Sequence, residues 1–464
     1  MRVWYHCSRV IGVTQRVTRM EIKFIKSEKM ELVGGAGLAL VGQILNRCTT
    51  LGKDLTRQFP KRTGAVPTGD VALAYVATLC TGKSDFEAVS TLEDKVLAPE
   101  SLGLQAFPSP VTVRQRLDEG ADLYMPYVQK ATGDLLRKSK APITALSTGH
   151  VALDVDVTPL DNSNSKKEGI GWTYKQFEGY APIAAYLGEE GWALGFELRE
   201  GTQHSQKETP AFLARVSALA KKLVSGRRIL LRMDSGNDAL ENYALAAEEG
   251  IDYLVKHNWR TENLEVWADK AAGMPESAWS HPREGKRVVR FSERMERTVK
   301  FKGEERVVRY RMVVEVSERT TDAKGNALLL PLVGVDAWIT SLDLPEADVV
   351  AIYRDHGTSE QFHSEMKGEL DLERLPSGKF MTNALILEMG VLAYNVLRLM
   401  GQIGLKGYKQ RHESKRRRIR TVIQELLCVA ARVVHHAGQV AYKFGRTCLA
   451  FDRLVLLRAH FCGA

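Results

Sequence analysis

The stretch Val151-Ala-Leu-Asp154-Val-Asp156-Val-Thr158 decides how the rest of the chain reads. Its aliphatic, β-branched residues predict a buried strand. Successive strand side chains point to opposite faces, so the two aspartates share one face. A second apolar strand, Arg228-Ile-Leu-Leu-Arg-Met-Asp234-Ser-Gly236, runs straight into an aspartate and a turn. Between the two, residues 181–187 and 193–198 read as strands joined by a turn at 188–191, and 210–223 reads as a helix. Further on, 239–248 is helical and 251–255 is another strand. Three antiparallel strands followed by alternating helix and strand predict a mixed α/β sheet with helices packed on it. Carboxylates at the ends of such strands converge at one sheet edge, where oxygen ligands hold hard cations such as Mg²⁺. Taken singly, each aspartate serves equally well as a cap on the following turn or helix.

Outside this core the patterning changes. Residues 35–145 carry apolar positions at helical spacing, such as Leu38, Val41, Ile44 and Leu45, and predict a helical amino-terminal domain. Within it Ser109-Pro110 opens a run bearing Arg114 and Arg116. That run reads either as the second helix of a DNA-binding helix-turn-helix or as an ordinary amphipathic helix with exposed arginines. Residues 258–346 form short apolar or alternating runs, at 288–291, 297–301, 305–316 and 327–333, with turns at 302–304 and 323–326, and predict an all-β insertion. Helical spacing returns after Pro345 and continues to about residue 403. A basic run follows, then a helix over 419–434 and short β segments at 440–444 and 448–451. The expected organisation is a helical domain over 1–145, a first core segment over 146–257, the β insertion over 258–346, a second core segment over 347–403 and a basic carboxy-terminal helical region over 404–464.

The 464 residues are 44% hydrophobic and 26% charged, enough to bury a large core and unlike a disordered or collagen-like chain. The net charge of +9 is unevenly placed. Residues 1–30 hold seven basic side chains against Glu21 and Glu28, and residues 398–420 hold nine against Glu413, so the rest of the chain is mildly acidic. Two basic segments on an acidic body point to a polyanionic partner, with a solvated charge run as the plain alternative. Glu388, Asn395 and Arg398 interrupt the longest apolar run short of the ~18 residues a membrane span needs. The first 20 residues lack the apolar stretch of a secretory signal. A cytoplasmic chain without a membrane partner is expected, with Met30 as an alternative start. Six cysteines with no C-x-x-C pair indicate neither a disulfide framework nor a thiolate zinc site.

A third acid stands in Tyr353-Arg354-Asp355-His356-Gly357-Thr-Ser-Glu360-Gln-Phe-His-Ser-Glu-Met-Lys367. Seven residues of α-helix fall roughly 20° short of two turns, so Tyr353, Glu360 and Lys367 line one face if the helix is continuous, and Gly357 is where it would break. Alone, this is an exposed charge pair on a surface helix. Four features taken together are more specific: the strand 153–158, the segment Gly179-Tyr180-Ala-Pro182, the strand end Leu231-Arg232-Met-Asp234-Ser235-Gly236, and the spacing of Tyr353, Glu360 and Lys367. They resemble bacterial DDE insertion-sequence transposases of the group numbered 1380, over roughly residues 28–440. That group is related to the hairpin-forming group numbered 4, whose signature is Tyr, two residues, Arg, three residues, Glu, six residues, Lys. Here His356 stands at the arginine, with Arg354 nearby, and the charge of an imidazole depends on pH.

The resemblance implies an RNase H-like core interrupted by the β insertion, with Asp156, Asp234 and Glu360 as the catalytic, metal-holding acids. Asp156 takes the first place because it stands in an Asp-x-Thr context, and Asp154 is the runner-up. The resemblance also implies two Mg²⁺ ions, replaceable by Mn²⁺, and cut-and-paste chemistry on double-stranded DNA. Cleavage at terminal inverted repeats would free a 3′-hydroxyl, which then attacks the opposite strand to form a hairpin or attacks target DNA. In this reading Tyr353, His356, Arg354 and Lys367 position the terminal phosphate, while Lys415, Arg416, Arg417, Arg418 and Arg420 contact the DNA backbone. Arg114 and Arg116 belong to the helices that read the repeats, and two copies meet at synapsis in a nucleoid-associated enzyme. Two other classes fit the same residues: an inactive DNA-binding regulator, and a metal-dependent nuclease that does not join strands. Trp259, Trp267, Trp279 and Trp338, in or beside the insertion, are candidate platforms for a displaced base, as are Trp172 and Tyr174 after Asp156; core packing is the commoner fate of a tryptophan.

Overall fold

The computed structural model describes residues 31–96, 99–260, 262–322, 324–405, 416–436 and 439–462. The basic arm at 1–30 and Lys415, with the rest of 406–415, lie outside the described residues.

The expected mixed sheet forms. In chain order its strands are β1 (Val151–Val157), β2 (Ile183–Leu187), β3 (Trp192–Glu197), β4 (Ile229–Met233), β5 (Asp252–Lys256), β6 (Ser280–Arg283), β7 (Lys286–Phe301), β8 (Glu304–Thr321) and β9 (Ala327–Thr340). They lie side by side in the order β6-β7-β8-β9-β5-β4-β1-β2-β3. β1, β4 and β5 run parallel, and β2 and β3 add an antiparallel flank. The segment expected as an insertion is therefore an extension of the core sheet. β9 pairs with β5, Trp338 opposite Lys256 and Thr340 opposite Leu254. Sequence patterning ended that strand at residue 333 and split β7 into two short strands, at 288–291 and 297–301. Cross-strand pairing carries both through their polar stretches, for instance Glu293 opposite Met312 and Arg294 opposite Arg311.

Strand alternation gives the sheet two different faces. Leu153, Val155, Leu231 and Met233 enter the main core. Leu230 joins Leu254, Val313, Trp338, Val349, Val350 and Ile352 in a second, smaller core. The last three come from a helix, Glu346–Arg354, and burying each contributes about 1.5–3 kcal/mol to holding that helix on the sheet. Asp154, Arg232, Asp156 and Asp234 share the parity of Leu230 and thus the face that this helix covers.

Two long helices fill the main core. The helix Pro110–Lys138 has 29 residues, and Ser109 Oγ accepts the Thr112 N–H at 3.2 Å as its cap. It buries Val113, Leu117, Ala121, Tyr124 and Val128 in the main core, so it is a central support of the helical domain. The second, Phe380–Gly404, is long and apolar enough to cross a membrane by composition, yet 94% of its most apolar window is buried inside the protein. The charges expected to interrupt it are core residues with partners. Glu388 takes Arg215 at 3.1 Å and Gln129 at 3.2 Å, and Arg398 pairs with Glu365.

The carboxy-terminal region departs from expectation. The helix expected over 419–434 stops at Val422 and gives way to a π turn, Ile423–Leu427. Strands Ala431–His436 and Gln439–Phe444 then form a hairpin that pairs with Leu32–Val33, and 448–451, expected as β, leads into a helix, Phe451–Cys462. The partner that decides this is almost 400 residues away: Val33 sits opposite Ala431. Gly37 packs so closely on this region that a Cβ there would lie 1.8 Å from the Leu426 carbonyl oxygen. The tail is thus part of the helical domain.

Candidate active site

β1 and β4 are paired in parallel, with Asp154 opposite Arg232 and Val155 opposite Met233. Asp156 and Asp234 are the next residues of the same register, where the ladder ends. The two aspartates of β1 have opposite surroundings. Asp154 is fully buried, and the Arg232 guanidinium grips both its oxygens, Nε to Oδ1 at 2.6 Å and Nη2 to Oδ2 at 2.8 Å. His356 Nδ1 stands 3.0 Å from Asp154 Oδ1, and Arg232 Nη1 also donates to the Ile352 carbonyl at 2.9 Å. Burial alone would raise the Asp154 pKa, but Arg232 and His356 hold it far below the usual carboxylate range. Asp156 is half-buried and open: Oδ1 accepts the Val157 N–H at 2.7 Å, and Oδ2 lies 3.6 Å from His363 Nε2. Asp234 Oδ1 accepts from Asn237 Nδ2 at 2.8 Å. Its pKa is pushed up to about 6 by burial, with the Asp156 carboxylate adding to the rise.

The third acid sits on a segment that is not one helix. The helix Glu346–Arg354 ends in a 3₁₀ turn, Asp355–Thr358; α-helix resumes over Ser359–Ser364 and widens into a π turn, Glu365–Glu369. Tighter and wider turns break the angle per residue on which a single stripe of Tyr353, Glu360 and Lys367 depended. Side-chain anchors hold this irregular path. Glu365 is fully buried against Arg398 and Tyr394, and Lys367 Nζ donates to the Pro159 carbonyl at 2.7 Å and lies 3.3 Å from Glu373.

The site candidates on this segment separate accordingly. Glu360 is exposed. Tyr353 is half-buried, its ring 5.9 Å from Trp338 and 5.8 Å from His356; burial, then Asp234 and Asp156, raises its phenol pKa. His356 is buried. Burial opposes its charge, but the Asp154 carboxylate outweighs burial and raises the imidazole pKa. The sequence places His356 among the candidate phosphate contacts; in the fold its imidazole faces Asp154. Arg354 is exposed and pairs at 2.6 Å with Glu315, which Arg290 also holds at 2.7 Å.

One side chain reports where the three acids stand relative to one another. The Tyr174 hydroxyl donates to the Val157 carbonyl at 3.0 Å. Burial raises its pKa, and Asp156, Asp234 and Glu360 each raise it further, so all three carboxylates lie within electrostatic reach of one hydroxyl. Among the described residues, no group of three or more Asp, Glu, His or Cys side chains stands close enough together to hold a metal ion. The donor set nevertheless fits a hard divalent cation. Asp234 and Asp156 repel each other, and no lysine or arginine pairs with any of the three acids among the described residues. His363 Nε2 is buried beside Asp156 without a hydrogen-bond partner there. Clustered carboxylate oxygens lacking a counter-charge are what Mg²⁺ neutralises.

The basic candidates lie around this site in different ways. Arg416 stacks on Phe362 at 4.4 Å and donates to the Glu189 carbonyl at 3.0 Å and to Gln361 at 3.2 Å. The Arg417 carbonyl accepts from Arg398 at 2.8 Å. Arg418 is exposed, yet pairs with Glu369 at 2.6 Å, and Arg420 is exposed. Part of the cluster therefore braces the helix that carries Glu360. Arg114 pairs with Glu87 at 3.4 Å, and Arg116 is half-buried. Trp267, Trp279 and Trp338 are buried, and Trp259 is half-buried with its N–H on the Val335 carbonyl, whereas Trp172 and Tyr174 are exposed. Sequence reading assigned no role to Arg232, His363 or Asn237. Two signals pointed to them: Asp154 and Arg232 each precede a site acid by two residues, and Glu360-x-x-His363 places a histidine one turn along.

No curated protein matches the sequence. Among solved structures, the cryo-EM structure of a piggyBac transposase synaptic complex with hairpin DNA aligns over 85% of this chain and 79% of that one, at 12% identity and a TM-score of 0.40. The family model described as transposase DDE domain group 1 matches residues 116–460, a span that includes every strand of the large sheet and all three acids. By that match over most of its length, the chain belongs to the DDE-domain transposases of group 1.

Proposed function

We propose that this transposase is the enzyme of an insertion sequence, cutting DNA at terminal inverted repeats and joining the freed ends to target DNA. The observation that carries the reading is the parallel pairing of β1 and β4, which brings Asp156 and Asp234 to one end of the ladder although 78 residues separate them in the chain, with Glu360 within electrostatic reach of the same Tyr174 hydroxyl. The strand order β3-β2-β1-β4-β5, with the first acid on β1 and the second at the end of β4, supports an RNase H-like core. Asp156, Asp234 and Glu360 would hold Mg²⁺, with Asp234 giving up its proton as the ion is taken up. When bound, Mg²⁺ supplies activation of the attacking oxygen and charge relief for the leaving one. Tyr353 borders the acids and orients the end of the cut strand, and Lys367, Arg418 and Arg420 contact backbone phosphates. Two copies bring two element ends together.

The test is direct. Full-length protein is incubated with Mg²⁺ and end-labelled duplexes made from the inverted repeats that flank its gene. Nicking followed by joined products is expected. Nicking without joining favours a nuclease, and binding without nicking favours a DNA-binding regulator.

A further inference from the structure

Between β1 and β2 the chain builds a small arm. Leu160–Asp161, Gly171–Trp172 and Glu178–Tyr180 form a three-stranded antiparallel sheet with Trp172 opposite Glu178. The tip is locked, because the Thr173 N–H and hydroxyl both donate to the Phe177 carbonyl at 2.9 Å and Gln176 takes a left-handed φ of 64°. The arm also packs tightly on its base: a Cβ on Gly179 would lie 2.0 Å from the Leu160 carbonyl oxygen. This rigid element holds two large aromatic side chains, Trp172 and Tyr174, in solvent, each 61% exposed. Apolar area of that size is costly to leave in water unless something covers it.

The position of Tyr174 indicates what covers it. Its hydroxyl is pinned to the carbonyl of Val157, and the N–H of that same residue is held by Asp156. The ring thus opens to solvent while its polar end touches the backbone of the residue next to the first site acid. The Lys175 ammonium lies 5.6 Å from the centre of the same ring. Open aromatic faces with a cation beside them, next to acids that act on a phosphodiester, match the chemistry of a nucleotide: base on ring, phosphate by ammonium. The tryptophans beside the β extension lack this access because they are buried or half-buried.

We propose that Trp172 and Tyr174 form the stacking surface for the nucleobase adjoining the phosphodiester that is cut. The inference rests on the transposase reading above and adds the place where the DNA end is gripped. It makes Tyr174 a positioning residue, because stacking on its ring fixes the base relative to the Asp156 peptide.

The test uses full-length protein and an inverted-repeat duplex with 2-aminopurine at the nucleotides flanking the cut. Without metal, the wild type should quench the probe on binding, while Trp172→Ala and Tyr174→Ala should restore most of the fluorescence with little loss of DNA affinity. Tyr174→Phe should keep the quenching. With Mg²⁺, cleavage of the normal duplex should fall roughly 10- to 100-fold in the alanine variants. On a duplex that is abasic at the stacked nucleotide, wild type and variants should cut at the same rate. Circular dichroism and thermal melting confirm folded variants. An unquenched probe in a cleavage-competent wild type overturns the proposal, as does an equal deficit of the variants on normal and abasic duplexes. A wild type that binds the repeats but never cuts overturns the transposase reading and this proposal with it.

Discussion

The strand-borne floor of the site and the helical segment above it are built on different terms. In the floor, β1 and β4 set Asp156 and Asp234 side by side through register alone, and the bidentate Asp154–Arg232 pair two residues back fixes that register. In the segment 346–369, three kinds of helical turn succeed one another, and the path is held by contacts with distant parts of the chain: Arg398 on Glu365, Arg418 on Glu369, and Lys367 on the Pro159 carbonyl. A floor set by backbone pairing tolerates surface change. A segment set by anchors moves Glu360 when an anchor is lost.

The comparison is sharpened first by the acids themselves. Asp156→Ala, Asp234→Ala and Glu360→Ala should each lower strand cleavage by about 10³-fold or more, some 4 kcal/mol of barrier, while melting curves stay cooperative. Asp154→Asn should behave in the opposite way. Breaking its buried pair should lower unfolding free energy by about 3–5 kcal/mol in denaturant titrations, and the apolar double replacement Asp154→Leu with Arg232→Met should recover much of that loss. A stable but inactive Asp154→Asn protein would place the first acid at 154 and break the distinction between the two β1 aspartates.

Acidity and metal give a smaller effect. The Asp234 pKa is raised to about 6 in the folded protein, so its protonated form favours folding. That contribution is complete below about pH 4 and is lost as pH rises through about 6, on the order of 2 kcal/mol in metal-free protein. Mg²⁺ should restore stability at pH 7 and have little effect at pH 4. Asp234→Asn should flatten the pH profile, which denaturant titrations at the two pH values would read. Lys367→Ala should cost about 1–2 kcal/mol through the lost bond to Pro159, with cleavage reduced because the Glu360 segment loosens. Arg354→Ala, which removes an exposed partner of Glu315, should change stability by no more than about 1 kcal/mol by the same measurement.

Much of the floor was legible because strand alternation is local. Two aspartates at i and i+2 share a face whatever surrounds them, and an apolar run ending in Asp-Ser-Gly marks a strand end. The segment 346–369 was less legible, since the groups that anchor its turns come from distant residues, the Pro159 carbonyl and the Arg398 and Arg418 side chains. The surroundings of His356 were not legible for the same reason. Its place in the spacing suggested a phosphate contact, and only the fold shows Asp154 beside it. In the carboxy-terminal hairpin the second strand was read as β, but the first was read as the end of a helix because its strand partner is Leu32–Val33, at the other end of the chain.

By itself, then, the sequence determined most of the strands and helices of the core and the concentration of basic charge, because periodicity and composition are properties of short stretches, while its resemblance to a known family singled out the three acids of the proposed site. Tertiary structure decided which β1 aspartate is sealed and which is open, that the expected β insertion continues the core sheet, and that an exposed Tyr174 borders the acids. Those outcomes depend on burial and on charges brought together from distant parts of the chain, and no local pattern encodes either.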